Sequence, residues 1–284
     1  MTSHRTILIT GATDGLGRAL AERLAAEGAD VILHGRDQAK LDRLADDLAA
    51  RGATKPRTVT ADLADLDQVR RMADDLRTAT DSLDVLVNNA GIGAGEPDGR
   101  SRRTSAQGHE LRFAVNYLAG FLLTLELLPL LRASAPARIV NVASIGQHPL
   151  DFDDLMIERG YTGVRAYGQS KLAQITSGFE LAARLPADEI TVNSLHPATY
   201  MPTKIVLAEV GHSIDTLEEG VAATHRLITA PELARTTGRF YDRTRETRAH
   251  SQAYEDEARL HLWRMSLELT GATSPDRTDV GRRS

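Results

Sequence analysis

Short runs that are apolar from end to end recur along this chain, and each gives way to a longer stretch with apolar residues at helical spacing. Ile7-Leu8-Ile9 precedes a helical pattern over 16–27, and Val31-Ile32-Leu33 precedes one over 40–50 with Leu41, Leu44 and Leu48 on one stripe. A third strand around Val59 leads into a polar helix over 66–78. Val85-Leu86-Val87, Ile139-Val140-Asn141-Val142 and Ile190-Thr191-Val192-Asn193 supply three more strands. Strands without polar alternation are those covered on both faces. Regular strand–helix succession implies right-handed crossovers, so the pattern predicts an α/β fold: one doubly wound parallel sheet with helices on both faces. No fixed-period repeat or Pro/Ser-rich linker interrupts it before about residue 245. One catalytic domain over 1–245 is expected, then over 246–284 an amphipathic helix (249–269, ended by Gly271) and a disordered tail.

Composition removes several function classes. A formal net charge of -5 gives no global attraction to nucleic acid or an anionic membrane, and the short arginine clusters at 100–103 and 243–248 read as solvated faces. Without cysteine, thiolate metal sites and thiol nucleophiles are excluded, and the histidines show no ligand spacing on one helix. The apolar start is too short for a signal peptide and no run approaches transmembrane length, so a cytoplasmic protein without a membrane span is expected. The Gly-x-Ser-x-Gly turn of a serine hydrolase does not occur.

Chemistry begins at the first strand-to-helix turn, Thr10-Gly11-Ala12-Thr13-Asp14-Gly15-Leu16-Gly17. Glycines there let the backbone turn sharply and let a pyrophosphate approach N–H groups at a helix N-terminus. A glycine cluster alone has a purely structural alternative; its place after the first strand of a βαβ unit favours dinucleotide binding. At the end of the second strand, where an acidic residue would take a ribose 2′-OH, the chain reads His34-Gly35-Arg36-Asp37. The planar fork of Arg36 matches a 2′-phosphate and favours NADP(H). NAD(H) stays open should Asp37 turn to the ribose while Arg36 merely opens the second helix.

Tyr167 and Lys171 lie four apart at the start of a long predicted helix, on one face of it. Tyrosine with its ordinary pKa of about 10 is a poor base near neutrality. A neighbouring ammonium favours the phenolate and suits the pair to general acid–base work. Tyr161 and Arg165 form a second such pair, but arginine stays charged. Lysine occurs only at Lys40, Lys55, Lys171 and Lys204, which weighs against chance for the Tyr167–Lys171 pair. Ser144 ends the fifth strand at the carboxyl edge of the sheet, where its hydroxyl can cap a turn or hydrogen-bond a substrate oxygen.

The glycine loop, Ser144 and Tyr167-x-x-x-Lys171 together resemble the short-chain dehydrogenase/reductase family over roughly residues 5–245, nearest its retinol dehydrogenase-like and protochlorophyllide reductase-like branches. The resemblance implies a Rossmann-type fold and hydride transfer between a nicotinamide and a carbonyl or secondary alcohol. It implies Asn116 as a fourth catalytic position that holds a water, and a bond from Lys171 to the nicotinamide ribose. It also implies adenine contacts from Asp62 and Leu63, and a sheet-stabilising, cofactor-side turn at Asn89-Ala90-Gly91. The family's Pro-Gly and threonine after the sixth strand become Pro197-Ala198-Thr199 here, with Thr203 beyond, and either threonine can serve the carboxamide. A homodimer or homotetramer built on the helices carrying Asn116 and Tyr167 is implied too. Related families use the same residues for C=C reduction or epimerisation, and a catalytically silent cofactor sensor is a further alternative.

Between Ser144 and Tyr167 the chain exceeds the family's usual spacing, with extra residues around 150–156. Loops inserted beside an active site shape substrate access. With Tyr200, Met201, Ile205, Val206 and Leu207 as the other wall, the expected small-molecule substrate is sizeable and partly lipophilic.

Overall fold

The computed structural model describes residues 5–95, 99–202, 206 and 211–275. Its strands are β1 (Thr6–Ile9), β2 (Asp30–Gly35), β3 (Arg57–Thr60), β4 (Val85–Asn88), β5 (Ala137–Val142), β6 (Ile190–His196), β7 (Arg239–Asp242) and β8 (Arg245–Thr247). They form one sheet in the order β3-β2-β1-β4-β5-β6-β7-β8, parallel throughout except for the antiparallel β7–β8 hairpin. This is the doubly wound, Rossmann-like sheet read from the alternating pattern. The strands β7 and β8 were not foreseen, because they are only four and three residues long and largely polar.

Helices start where short polar side chains replace the missing backbone acceptors. Asp14 caps α1 (Gly15–Ala26), Asp37 caps α2 (Gln38–Ala50) and Asp65 caps α3 (Leu66–Ala79), each accepting from a first-turn N–H. Next comes α4 (Leu111–Ala133), which contains a π-helical turn at Ala114–Leu118, then α5 (Gly163–Ala182) capped by Thr162. A Thr216/Glu219 capping box opens α6 (Leu217–Thr229). The last helix, α7 (Asp256–Thr270), begins later than its sequence pattern suggests, after a 3₁₀ turn at Ser251–Tyr254, and Gly271 ends it at φ +63°.

Each face of the sheet buries its own apolar layer, as helices on both sides require: Leu20, Leu24, Leu41 and Leu227 lie on one, Val69, Phe113, Leu122 and Leu172 on the other. Helix α4 has a mean hydropathy of 1.7 and the length to cross a bilayer, contrary to the expectation that no run approaches that length. Its most apolar stretch is 78% buried by the fold, so it serves as a core helix.

The C-terminal segment packs onto α4 and α5. Trp263 meets Phe121 edge-on at 5.0 Å, with the Arg184 guanidinium 4.6 Å from its ring, and Tyr117 and Ser266 share a buried 2.6 Å hydrogen bond. The inserted residues before Tyr167 join this contact. Gln252 exchanges hydrogen bonds with both backbone groups of Leu150 (2.6 and 3.0 Å), and Phe152 stacks on His261 at 4.5 Å. The helices on which self-association was expected, α4 and α5, thus carry the chain's own last helix on part of their surface.

Candidate active site

In a parallel sheet the residues that follow each strand share one edge, and all the segments singled out above follow β1 to β6. The turn after β1 has no room for a side chain at Gly11 or Gly17. Gly11 takes φ +67° and Gly15 +50°, and a Cβ on Gly11 would lie 2.9 Å from Ala90 Cα. One on Gly17 would overlap Gly11 O and the Asn89 amide. Thr10 ties this turn to the one after β4: its Oγ1 accepts from the N–H groups of Asn89 (2.9 Å) and Ala90 (3.0 Å), and Asn89 Nδ2 donates to Thr10 O (2.8 Å). The turn leads into α1 at Gly15, and the positive N-terminal end of that helix suits a pyrophosphate. This cradle fits a dinucleotide.

His34 is a residue that sequence reasoning left unused, although a lone histidine inside an apolar strand was a visible signal. It is 1% exposed. Gly11 N donates to its Nδ1 (3.2 Å), which leaves the proton on Nε2 to donate to Ala61 O (3.1 Å). Burial pushes its pKa down to about 4 from 6.5. The unfolded chain therefore takes up this proton more readily than the folded one. Stability is full above pH 6.5 and falls as the pH drops toward 4, by about 3 kcal/mol in all. Urea unfolding of the wild type and His34→Asn at pH 7 and pH 4.5 checks this: the wild type should lose more stability between the two, and equal losses would refute it.

Gly35 lets the glycine turn dock on the end of β2, since a Cβ there would lie 2.9 Å from Thr13 Cγ2. Arg36 follows directly and is exposed, and among the described residues no salt bridge engages it. Asp37 is occupied as the α2 cap, accepting from Lys40 N (3.1 Å) with Lys40 Nζ at 3.8 Å. After β3, Asp62 accepts from Ala64 N (3.0 Å) and Leu63 is buried.

Asn116, Tyr167 and Lys171 come together. Lys171 is buried, its Nζ donates to Val142 O (2.8 Å) and lies 5.8 Å from the centre of the Tyr167 ring. Burial lowers its pKa to about 8. Asn116 sits in the π-helical turn with Oδ1 accepting from Ile92 N (2.8 Å), and its Nδ2 donates to Ile92 O (3.1 Å) and Ser170 Oγ (3.0 Å). Ser170 Oγ in turn donates to Tyr167 O (2.7 Å). A Cβ on Gly91 would stand 3.2 Å from Asn116 Oδ1 and 3.6 Å from Lys171 Nζ, so that turn also closes on the cluster. Ser144, two residues beyond Val142, accepts from Gly146 N (3.0 Å), and Gly168 lets His148 come against α5.

Tyr161, the competing tyrosine, has a different place. It accepts from the fully buried Arg112 (2.6 Å) and donates to the fully buried Glu110 (3.1 Å). Arg112 also donates to Gly93 O (2.7 Å) and Ala94 O (2.8 Å), fixing the stretch after Gly91. Arg165 pairs instead with Asp151 at 2.8 Å. Behind β6, Pro197 and Ala198 are buried and Thr199 is half-buried, whereas Thr203, Ile205 and Leu207 lie outside the described residues. No group of three or more His, Asp or Glu among the described residues is arranged to hold a metal ion.

The sequence and the fold both have known relatives. Residues 5–209 match the family described as short chain dehydrogenase. Human retinol dehydrogenase 13 is 34% identical over 95% of this chain and 86% of its own. A crystal structure of an uncharacterised protein from Mycobacterium paratuberculosis superposes with a TM-score of 0.74 at 28% identity, covering 95% of both chains. An active-site complex of Pseudomonas aeruginosa RhlG with NADP gives 0.67 at 28% identity, over 85% of this chain and 94% of that one. With the family match spanning residues 5–209 and a relative 34% identical over most of both chains, the chain belongs to the short chain dehydrogenase family as an NAD(P)-dependent oxidoreductase.

Proposed function

We propose that the chain is an NADP(H)-dependent reductase or dehydrogenase of a sizeable, partly lipophilic carbonyl or secondary alcohol, with Tyr167 as the proton donor and acceptor. The observation that carries it is the buried ammonium of Lys171 facing the Tyr167 ring at 5.8 Å. The bound nicotinamide supplies or takes up the hydride. In the reducing direction Tyr167 gives its phenolic proton to the substrate oxygen, and Ser144 hydrogen-bonds that oxygen while charge grows on it. Lys171 stabilises the resulting phenolate, and Asn116 holds the turn at Ile92 beside it. Gly11, Thr13, Asp14, Gly15, Leu16 and Gly17 form the pyrophosphate cradle, Asp62 and Leu63 the adenine side, and Asn89, Ala90, Gly91, Pro197 and Thr199 the nicotinamide side. Thr203 is kept as the other candidate for the carboxamide.

NADP(H) is favoured over NAD(H) because Arg36 is exposed beside the turn while the Asp37 carboxylate is taken up in the helix cap. Fluorescence titration tests this: Arg36→Ala should weaken NADPH binding about 10- to 100-fold and leave NADH unchanged. Equal affinity of the wild type for both cofactors would sink the assignment. A lipophilic substrate is supported by exposed apolar side chains beside the site, Ile145 next to Ser144, Val164 one turn before Tyr167, and Tyr200 next to Thr199. The retinol dehydrogenase relative, named for a lipophilic alcohol, points the same way. Cytoplasmic placement is part of this reading, and any homo-oligomer would use a face other than the covered one on α4 and α5.

A further inference from the structure

Arg243, expected on a solvated face, instead sits half-buried at the tip of the β7–β8 hairpin and pairs with Asp215 and Asp242. It occupies the first position of a two-residue turn with φ +54°, a backbone conformation that favours glycine. An arginine retained at such a position points to a use for its side chain. Its own N–H donates to His196 O (2.7 Å). Its guanidinium lies against Asp215 through Nε (3.1 Å) and a second, short contact from Nη2, reaches Thr199 Oγ1 at 3.3 Å, and touches Asp242 through Nη1 (3.1 Å).

Thr199 is the centre of this arrangement. Its N–H donates to Asp215 Oδ2 (2.6 Å), its C=O accepts from Asp215 N (3.0 Å), and its hydroxyl lies 3.1 Å from His196 Nε2. Burial lowers the His196 pKa, which keeps the ring neutral. Arg243 donates to the same hydroxyl oxygen, so His196 and Arg243 together fix the place of the Thr199 hydroxyl. The next residue, Tyr200, also takes a positive φ of +46°, and its C=O accepts from Ile214 N (3.0 Å).

We infer that Arg243 and Asp215 are positioning residues that hold Thr199 with its hydroxyl presented to the primary amide of the nicotinamide. This rests on the reading that Thr199 stands on the nicotinamide side.

The test uses Arg243→Gly, which removes the guanidinium and also relieves the turn, so a purely structural role for the side chain predicts little change in cofactor binding. Amide hydrogen exchange of the 197–202 peptide in the free protein reads the clamp itself. Arg243→Gly and Asp215→Asn should each speed exchange there, with Arg243→Lys intermediate; unchanged protection overturns the inference. NADPH titration reads the consequence. Arg243→Gly should raise its Kd about tenfold while the Kd for 2′,5′-ADP, which lacks the nicotinamide half, and the melting temperature stay put. Loosened exchange with NADPH affinity unaltered also overturns it. A wild type that binds neither ligand would instead defeat the cofactor reading, and the exchange data would still decide whether the clamp exists.

Discussion

Tyr167→Phe is expected to lower kcat for carbonyl reduction about 10²–10⁴-fold while NADPH affinity changes little. The substitution deletes one oxygen and keeps the ring, so the contact between Lys171 and the ring face survives at its 5.8 Å spacing. What goes is the phenolic proton that Tyr167 is proposed to hand to the substrate. Steady-state kinetics beside a fluorescence titration separate the two effects, and a kcat within tenfold of the wild type would end the assignment of Tyr167. The Lys171 pKa of about 8 adds a pH signature. Below that value the ammonium is present and favours the phenolate; above it the charge is lost and with it the help given to Tyr167. Lys171→Met should behave across pH 7–9 as the wild type does only at the alkaline end.

The second large effect lies far from the chemistry. Trp263→Ala should destabilise the protein by about 3–5 kcal/mol, measured by urea unfolding at neutral pH. The indole is 2% exposed, packs edge-on against Phe121, carries the Arg184 guanidinium on its face and donates through Nε1 to Ser274 Oγ at 3.0 Å. Truncation removes all of these and leaves a hole beside a small cavity already bounded by Trp263, Tyr117, Gln174 and Asn88. Against a typical net stability of about 5–15 kcal/mol such a loss is severe. A change below about 1 kcal/mol would mean that α7 is only loosely docked. Cofactor affinity of the folded fraction should hold, because the indole touches no part of the glycine turn.

How far the sequence foretold this molecule depends on the range of the interactions. The strands β1, β2, β4, β5 and β6 were plain as unbroken apolar runs, and the glycine turn, Ser144 and Tyr167-x-x-x-Lys171 were legible because local spacing carries them. The π-helical turn at Asn116 was not, since it leaves no mark in a helix that is apolar on most sides. Nor were β7, a four-residue interior strand that pairs with distant β6, and β8, a polar three-residue edge strand. What His34 and Arg243 do was hidden for a different reason. Each works by reaching another segment, Gly11 or Asp215, and such a pairing has no periodicity to read. Tyr161 shows the opposite case: its spacing to Arg165 was visible, but its real partners are Arg112 and Glu110, some fifty residues earlier.

The docking of α7 has a consequence for dilution. A helix that braces α4 and α5 from within the same chain acts at an effective concentration set by its tether, on the order of millimolar, whatever the amount of protein in the tube. A second subunit bracing the same two helices would leave as the protein is diluted, and the support for Asn116 and Tyr167 would leave with it. Here that support travels with each molecule. Specific activity should therefore be flat from micromolar protein down to the lowest concentration at which turnover can be followed.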